Sequence, residues 1–288
     1  KDWVGEKGVF NMLFEFSHSM LGMGDTEMWC RPAEWQLTDL KQALNDSQRA
    51  TAQNGWYPIF FENHDQRRSL NHFFPRPVQD TVHAAKALAT LLFTLRGTPF
   101  VYEGEELGYA NMALDSIEEY DDISSKGQYK LALEEGFTAD KALSFVQYFS
   151  RDNARTPMQW DASENAGFST DTPWLKAGKS YKDINVENEI DGPIFKFYKE
   201  LIRLRKEMPI ISEGSYLPAL EDSQQVYAFE RHLDGQKLLV LNHFYGSEVE
   251  VAIPEDYQAG RVLLSNYENV ELAEKVILKP YQTLAILV

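Results

Sequence analysis

The sequence predicts an α/β layer built on a parallel sheet, followed by a separate antiparallel all-β domain. Over the first hundred residues, near-continuous apolar runs alternate with amphipathic helical stretches. After Gly214 the pattern changes to short alternating runs broken by turn residues. Taken in order, the apolar runs are Phe10 to Phe16, Trp56 to Phe61 and Pro99 to Tyr102, each leading into polar loop residues. Ala33 to Gln53 has helical spacing. Val78 to Leu95 carries Ala84, Leu88, Leu91 and Leu92 on one face before Gly97 stops it. The order is strand, helix, strand, helix, strand. Strands apolar on both faces belong to parallel sheets covered by helices, whose functional residues gather at the carboxyl ends of the strands.

From Ala110 to about Asp191 the chain is polar and loop-rich, with one predicted helical stretch from Lys126 to Phe149. An excursion this long is usually functional. Ile194 to Met208 restores a helix, with Phe195, Tyr198, Leu201, Ile202 and Leu204 at helical spacing and Pro209 ending it. The predicted strands of the β-domain are Val226 to Arg231, Leu238 to Phe244, Val249 to Ile253, Arg261 to Ser265, Val276 to Leu278 and Thr283 to Val288. The expected division is 1–209 for the α/β part, with the excursion at about 109–192, and 210–288 for the β-domain.

Composition narrows the function classes. The 28 Lys and Arg stand against 44 Asp and Glu, a formal net charge of −16, which argues against nucleic acid and anionic membrane as partners. At 43% apolar and 13% aromatic residues the chain can bury a sizeable core. Cys30 is the one cysteine, so there is neither an intrachain disulfide framework nor a cysteine zinc site, consistent with a cytoplasmic location. No apolar run approaches the roughly 20 residues of a membrane span. The chain opens Lys1-Asp2-Trp3-Val4 without initiator Met or leader, and is expected to be part of something longer.

Three polar clusters carry the chemistry: Glu62-Asn63-His64-Asp65-Gln66, Glu103-Gly104-Glu105-Glu106 and Arg151-Asp152-Asn153-Ala154-Arg155. Each also has a plain structural reading. A His-Asp pair serves as a loop anchor, glutamates at a helix start satisfy free N–H groups, and the third cluster is a solvated turn. Together at strand ends, carboxylates, an imidazole and arginines suit a polyol. Sugar hydroxyls are held by such groups, and a glycosidic transition state gains positive charge that carboxylates stabilise. Tyr102, Trp160, Phe168 and Trp174 are candidate stacking faces, or ordinary packing.

Asn63-His64-Asp65-Gln66, then Gly97-Thr98-Pro99-Phe100-Val101-Tyr102-Glu103-Gly104-Glu105-Glu106-Leu107-Gly108, then Arg151-Asp152-Asn153-Ala154-Arg155-Thr156-Pro157-Met158-Gln159-Trp160-Asp161 occur in this order. Asp115-Ser116-Ile117-Glu118-Glu119-Tyr120 and Asn165-Ala166-Gly167-Phe168 accompany them. The set resembles the α-amylase superfamily, glycoside hydrolase family 13, and most of all its oligo-1,6-glucosidase and α-glucosidase branch. The resemblance covers nearly all of the chain. It implies the C-terminal part of a TIM (β/α)8 barrel, with the three apolar runs as strands six, seven and eight, followed by the family's antiparallel β-sandwich domain.

The resemblance also implies roles. Asp65 would be the transition-state stabiliser that grips the glucosyl unit, with His64 and Arg151 binding the same sugar and Asn63, Tyr102 and Glu105 in support. The nucleophilic Asp and acid/base Glu of a retaining enzyme would lie before residue 1. Glu6, in Val4-Gly5-Glu6, is too close to Phe10 to be that acid and is expected to be a loop residue. Arg67 stands where the family usually has proline, and is expected to loosen the loop and add a charge near the aglycone. No cofactor is implied, since any calcium site would lie in the earlier loops. The expected partners are a short α-glucan or disaccharide substrate, and the other half of the barrel or a self-contact over the open sheet edge. Related enzymes that cleave trehalose 6-phosphate or isomerise sucrose share the motifs, and a catalytically silent sugar-binding fragment is the contrasting reading.

Overall fold

The computed structural model describes residues 3–5, 8–53 and 55–288; Glu6 lies outside them. Parallel pairing joins β1 (Pro58–Ile59) to β2 (Thr98–Pro99), through Thr98 N–H to Tyr57 O at 2.8 Å and Phe100 N–H to Ile59 O at 2.7 Å. Among the described residues, the run expected over Phe10 to Phe16 joins this layer through the parallel bridge of Met12 to Trp56. The ladders are shorter than the apolar runs, because Pro58 and Pro99 have no N–H to donate. Gly97 sits at φ 146°, and a Cβ there would lie 2.1 Å from Tyr57 O, so only glycine lets β2 approach β1.

Helices cover this layer. α1 (Leu37–Thr51) begins in a capping box, with Gln36 N–H donating to Asp39 Oδ2 at 2.7 Å, and buries Leu37, Leu40 and Leu44. The short α2 (Ser69–His72) follows the first polar loop. α3 (Thr81–Thr94) is capped by Asp80, which accepts from His83 N–H at 3.1 Å, and buries ten of its residues, from Ala84 to Thr94. The excursion holds α4 (Ile123–Glu134) and α5 (Ala139–Phe149) where a single helix was expected. Gly136 at φ 87° ends the first, and the Thr138 hydroxyl caps the second. After α6 (Val186–Glu189), Pro193 opens α7 (Pro193–Glu207), which packs on α3, and α8 (Pro209–Ser212) leads out.

The C-terminal sheet runs in the order β3 (Ser215–Ala219), β4 (Val226–Leu233), β5 (Gln236–His243), β9 (Thr283–Leu287), β7 (Arg261–Ser265), all antiparallel. β6 (Val249–Ala252) pairs with β8 (Lys275–Leu278), and α9 (Glu255–Gln258) bridges towards β7. One face of the five-stranded sheet, with Val226, Leu239, Leu241, Leu284 and Ile286, packs on Val251, Val276 and Leu278 of the pair. The other face, with Tyr227, Phe229, Leu238, Val240 and Ala285, joins the core beneath the helices. β3 lies outside the predicted set.

Arg231 ties this interface together from its centre, with Lys41 reaching Leu220 O at 2.8 Å and Asn266 reaching His83 O at 3.2 Å. Arg231 is fully buried without an acidic partner. It donates to Thr94 O and Ile211 O, both at 2.6 Å, to Gly214 O at 2.6 Å and to Ser215 O at 3.3 Å. Thr94 and Ile211 lie in the last turns of α3 and α8, where carbonyls lack intrahelical partners, and Gly214 and Ser215 lead into β3. Burial pushes its pKa down to about 9. Arg231→Met keeps the bulk and orphans the oxygens, so chemical denaturation should show a loss of roughly 2 to 3 kcal/mol. A loss near zero would show that water satisfies these carbonyls.

Near the parallel layer a strip of apolar side chains faces outward. Leu13, Phe14, Phe16, Phe100 and Val101 are each exposed. Among the described residues nothing covers this strip.

Candidate active site

Three chain segments converge beyond the carboxyl ends of β1 and β2. The loop after β1 turns sharply because Asn63 Oδ1 accepts from Asp65 N–H at 2.8 Å. That turn lifts Asp65 towards the excursion. Asp65 Oδ1 accepts from Arg155 Nη2 at 2.6 Å and from Arg151 Nη1 at 3.4 Å, while His64 Nε2 lies 3.3 Å from Oδ2. Arg155 Nε also donates to His64 O at 2.7 Å. The structure therefore brings Asn63, His64, Asp65 and Arg151 together across more than eighty residues of chain. Asp65 remains 46% exposed and His64 72% exposed, so both are open to a ligand.

Arg151 has a second anchor, Asp122, the N-cap of α4. Burial raises the Asp122 carboxyl, but bonds from Arg151 and Ser125 outweigh it and hold it below the usual range. The same bond from Asp122 holds the Arg151 guanidinium above its ordinary value. The site is tied to the excursion from below as well. Asp152 Oδ2 accepts from Asp121 N–H at 2.7 Å and Asp122 N–H at 2.9 Å. Arg155 and Asp122 were not singled out from sequence, although Arg155 lies inside the motif and Asp122 sits at a helix start.

Arg68 is the other side chain that sequence reasoning passed over. It is 1% exposed, as is the Glu62 carboxylate that it meets at 2.8 Å. Its guanidinium donates to Glu103 O at 2.7 Å and to Asn153 O at 3.3 Å. It also lies within 5.4 Å of the Tyr102 ring centre and 5.2 Å of that of Tyr109. One cation thus pins the loops bearing Asp65, Tyr102 and Arg151. Glu62 Oε1 is satisfied by Ser69 N–H at 2.8 Å and the Ser69 hydroxyl at 2.7 Å.

Tyr102 donates its hydroxyl to Ala154 O at 3.0 Å. It lines an open hollow of about 320 Å³ with Phe14, Phe60, Asn63 and His64. Trp160, Phe168 and Trp174 are exposed, and Trp174 Nε1 donates to Asp121 Oδ2 at 2.6 Å.

Glu105 is not part of this convergence. Its carboxyl is buried without a hydrogen-bond partner for either oxygen, in a small internal cavity with Glu62, Tyr109 and Tyr198. Burial, reinforced by the Glu62 charge, raises its pKa well above the ordinary value. Its neighbour Glu106 takes the capping role, accepting from Gly104 N–H at 3.0 Å. A raised folded-state pKa costs stability as pH rises from the unfolded value near 4.5 towards the folded one, because the folded carboxyl holds its proton longer. Relative to Glu105→Gln, the wild type should lose about 1.4 kcal/mol per pH unit across that window. Urea titrations of both proteins between pH 5 and 8 check this, and parallel curves would contradict it.

Arg67, expected to loosen the loop and add a charge near the aglycone, is buried, with its guanidinium 4.0 Å from the Phe149 ring centre and 4.6 Å from that of Tyr148. Nη2 donates to Leu21 O at 2.9 Å, and burial pushes its pKa down to about 10. The aromatic residues ending α5 draw the side chain inward. Among the described residues no group of three or more His, Cys, Asp or Glu side chains could hold a metal ion. Among the described residues no helix is long and apolar enough to cross a membrane.

A parallel layer under helices, with a cluster of carboxylate, imidazole and guanidinium groups at its carboxyl end, is the arrangement of a barrel enzyme's site. The α-amylase catalytic domain model matches residues 3–214, and the model of the α-amylase SusG C-terminal domain matches 226–284. The chain belongs to the α-amylase family. It is 39% identical to oligo-1,6-glucosidase of Halalkalibacterium halodurans over 284 residues, 96% of this chain and 50% of that protein. It is 36% identical to trehalose-6-phosphate hydrolase of Bacillus subtilis, covering 95% of this chain and 50% of the relative. Among solved structures, trehalose-6-phosphate hydrolase of Bacillus licheniformis superposes with a TM-score of 0.89 at 37% identity, covering 96% of this chain and 51% of that one. Isomaltulose synthase of Erwinia rhapontici does so with a TM-score of 0.89 at 36% identity, covering 97% and 51%. The chain spans about half the length of the relatives it matches.

Proposed function

We propose that this chain is the C-terminal part of a retaining α-glucosidase that releases terminal α-1,6-linked glucose, or α-1,4-linked glucose, from short oligosaccharides. The observation that carries the reading is Asp65, half exposed, held between Arg155 and Arg151 with His64 beside it. An ionised, fixed carboxylate open to a ligand is what a sugar ring needs as it acquires oxocarbenium character. His64 and Arg151 bind hydroxyls of the same glucosyl unit, and Asn63 and Tyr102 hold the loops in place. We assign the layer containing Met12, β1 and β2 to barrel strands six, seven and eight, and the enzyme to the cytoplasm without a cofactor.

A retaining mechanism needs a nucleophile and a proton donor roughly 5 to 5.5 Å apart. In this reading both precede Lys1 in the full-length protein, and the 288-residue chain alone has no hydrolytic activity. The test is nitrophenyl α-glucoside hydrolysis by the full-length protein and by the chain alone. Turnover by the first and background rates from the second are expected. Hydrolysis by the chain alone would mean that its own carboxylates perform the chemistry, and an inactive full-length protein would favour a silent sugar-binding role.

A further inference from the structure

We propose that Asp122 is a positioning residue of the site, holding the Arg151 guanidinium in place for the sugar, an inference that rests on the glucosidase reading. Asp65 has two arginine partners, and they are unequal: Arg155 Nη2 lies at 2.6 Å and Arg151 Nη1 at 3.4 Å. Arg151 turns its other terminal nitrogen, Nη2, to Asp122 Oδ1. Asp65 therefore belongs chiefly to Arg155, and Arg151 to Asp122. A helix cap alone does not require that bond. Asp122 already accepts from Ser124 N–H at 3.3 Å, Ser125 N–H at 3.1 Å and the Ser125 hydroxyl at 2.7 Å, which completes its role at the start of α4. The further bond fixes a long, rotamer-rich side chain, so that the entropy of placing it is not lost again when a sugar binds.

The anchor itself is rigid. The Asp122 carboxylate is 1% exposed. Contacts on both sides of Arg151 return to the start of α4. Asp152, buried, accepts from the N–H groups of Asp121 and Asp122, and Ser150 has its Oγ 3.0 Å from that of Ser125. The segment leading into α4 is clasped in turn. Trp174 Nε1 donates to Asp121 Oδ2 at 2.6 Å, Lys176 meets Glu119, and Lys179 Nζ donates to Asp115 Oδ1 at 2.6 Å. Each exposed pair is weak alone, but the three run in opposite order along two segments and set Asp122 at the end of a fixed edge. Without the Asp122 charge, Asp65 is the one carboxylate left beside Arg151 among the described residues. The guanidinium then swings towards Asp65 and away from the sugar.

The test is a double-mutant cycle on the full-length protein, with kcat/KM for nitrophenyl α-glucoside measured for wild type, Asp122→Asn, Arg151→Gln and the pair together. Asparagine caps a helix as well as aspartate does, so α4 keeps its start. Asp122→Ser, also a capping residue without the charge, is measured alongside, and urea unfolding midpoints show that the variants are folded. Asp122→Asn and Asp122→Ser should each lower kcat/KM about tenfold or more. In the Arg151→Gln background Asp122→Asn should change it by no more than about twofold. Wild-type kcat/KM in a folded Asp122 variant overturns the proposal and leaves the glucosidase reading intact. An equal loss with and without Arg151 shows that Asp122 acts through the fold and also overturns it. Inactivity of the full-length wild type removes the glucosidase reading and the inference with it.

Discussion

Asp65→Asn in the full-length enzyme is expected to lower turnover roughly a hundred- to thousandfold, equivalent to about 2.7 to 4 kcal/mol of transition-state stabilisation. The substitution preserves shape and one acceptor oxygen, which can stay on Arg155 Nη2, now at 2.6 Å from Oδ1. What it removes is a negative charge beside a ring that becomes cation-like only in the transition state. The loss should therefore fall mainly on kcat, with KM changing little. Nitrophenyl α-glucoside kinetics separate the two, and near-wild-type turnover would refute the role given to Asp65. Unfolding midpoints of both proteins show whether the fold has been kept.

The second large effect is on stability. Arg68→Met is expected to cost about 3 to 5 kcal/mol, because it leaves the Glu62 charge buried with its partner gone. It also frees Glu103 O and Asn153 O, through which Arg68 ties the second and third polar segments to the loop after β1. A double variant, Glu62→Gln with Arg68→Met, should recover part of the loss, since no charge is then stranded. Urea unfolding of the single and double variants checks this. A double variant no more stable than Arg68→Met alone would show that the carbonyl contacts, rather than the ion pair, carry the effect.

Much of this arrangement was legible in the residues. Leu88, Leu91 and Leu92 on one face, stopped by Gly97, mark α3 to within a few positions, and Pro193 with Pro209 bracket α7. β4 and β5 stood out as apolar runs because each buries both faces between two cores. β3 escaped because it contains Pro218, pairs on one side alone and leaves Leu217 exposed, so it carries little apolar signal. The break between α4 and α5 was signalled by Gly136 and Thr138 but masked by helical spacing on both sides.

The site divides in the same way. Asp65, His64 and Arg151 stand in motifs that the family resemblance makes readable. Their holding partners do not, since pairing Arg151 with Asp122 or Arg68 with Glu103 O depends on how distant loops fold together. Arg67 illustrates the same limit: its place after the strand does not show that Phe149, far along the chain, supplies a ring against which it is buried.

The central claim is that this chain holds the sugar while the covalent chemistry belongs to carboxylates outside it. Trapping the glycosyl-enzyme intermediate of the full-length protein with a fluorinated α-glucosyl fluoride, and mapping the label by peptide mass spectrometry, tests it most directly. The label is predicted on an aspartate that precedes Lys1. A label on Asp65, or on any other carboxylate of these 288 residues, would contradict it.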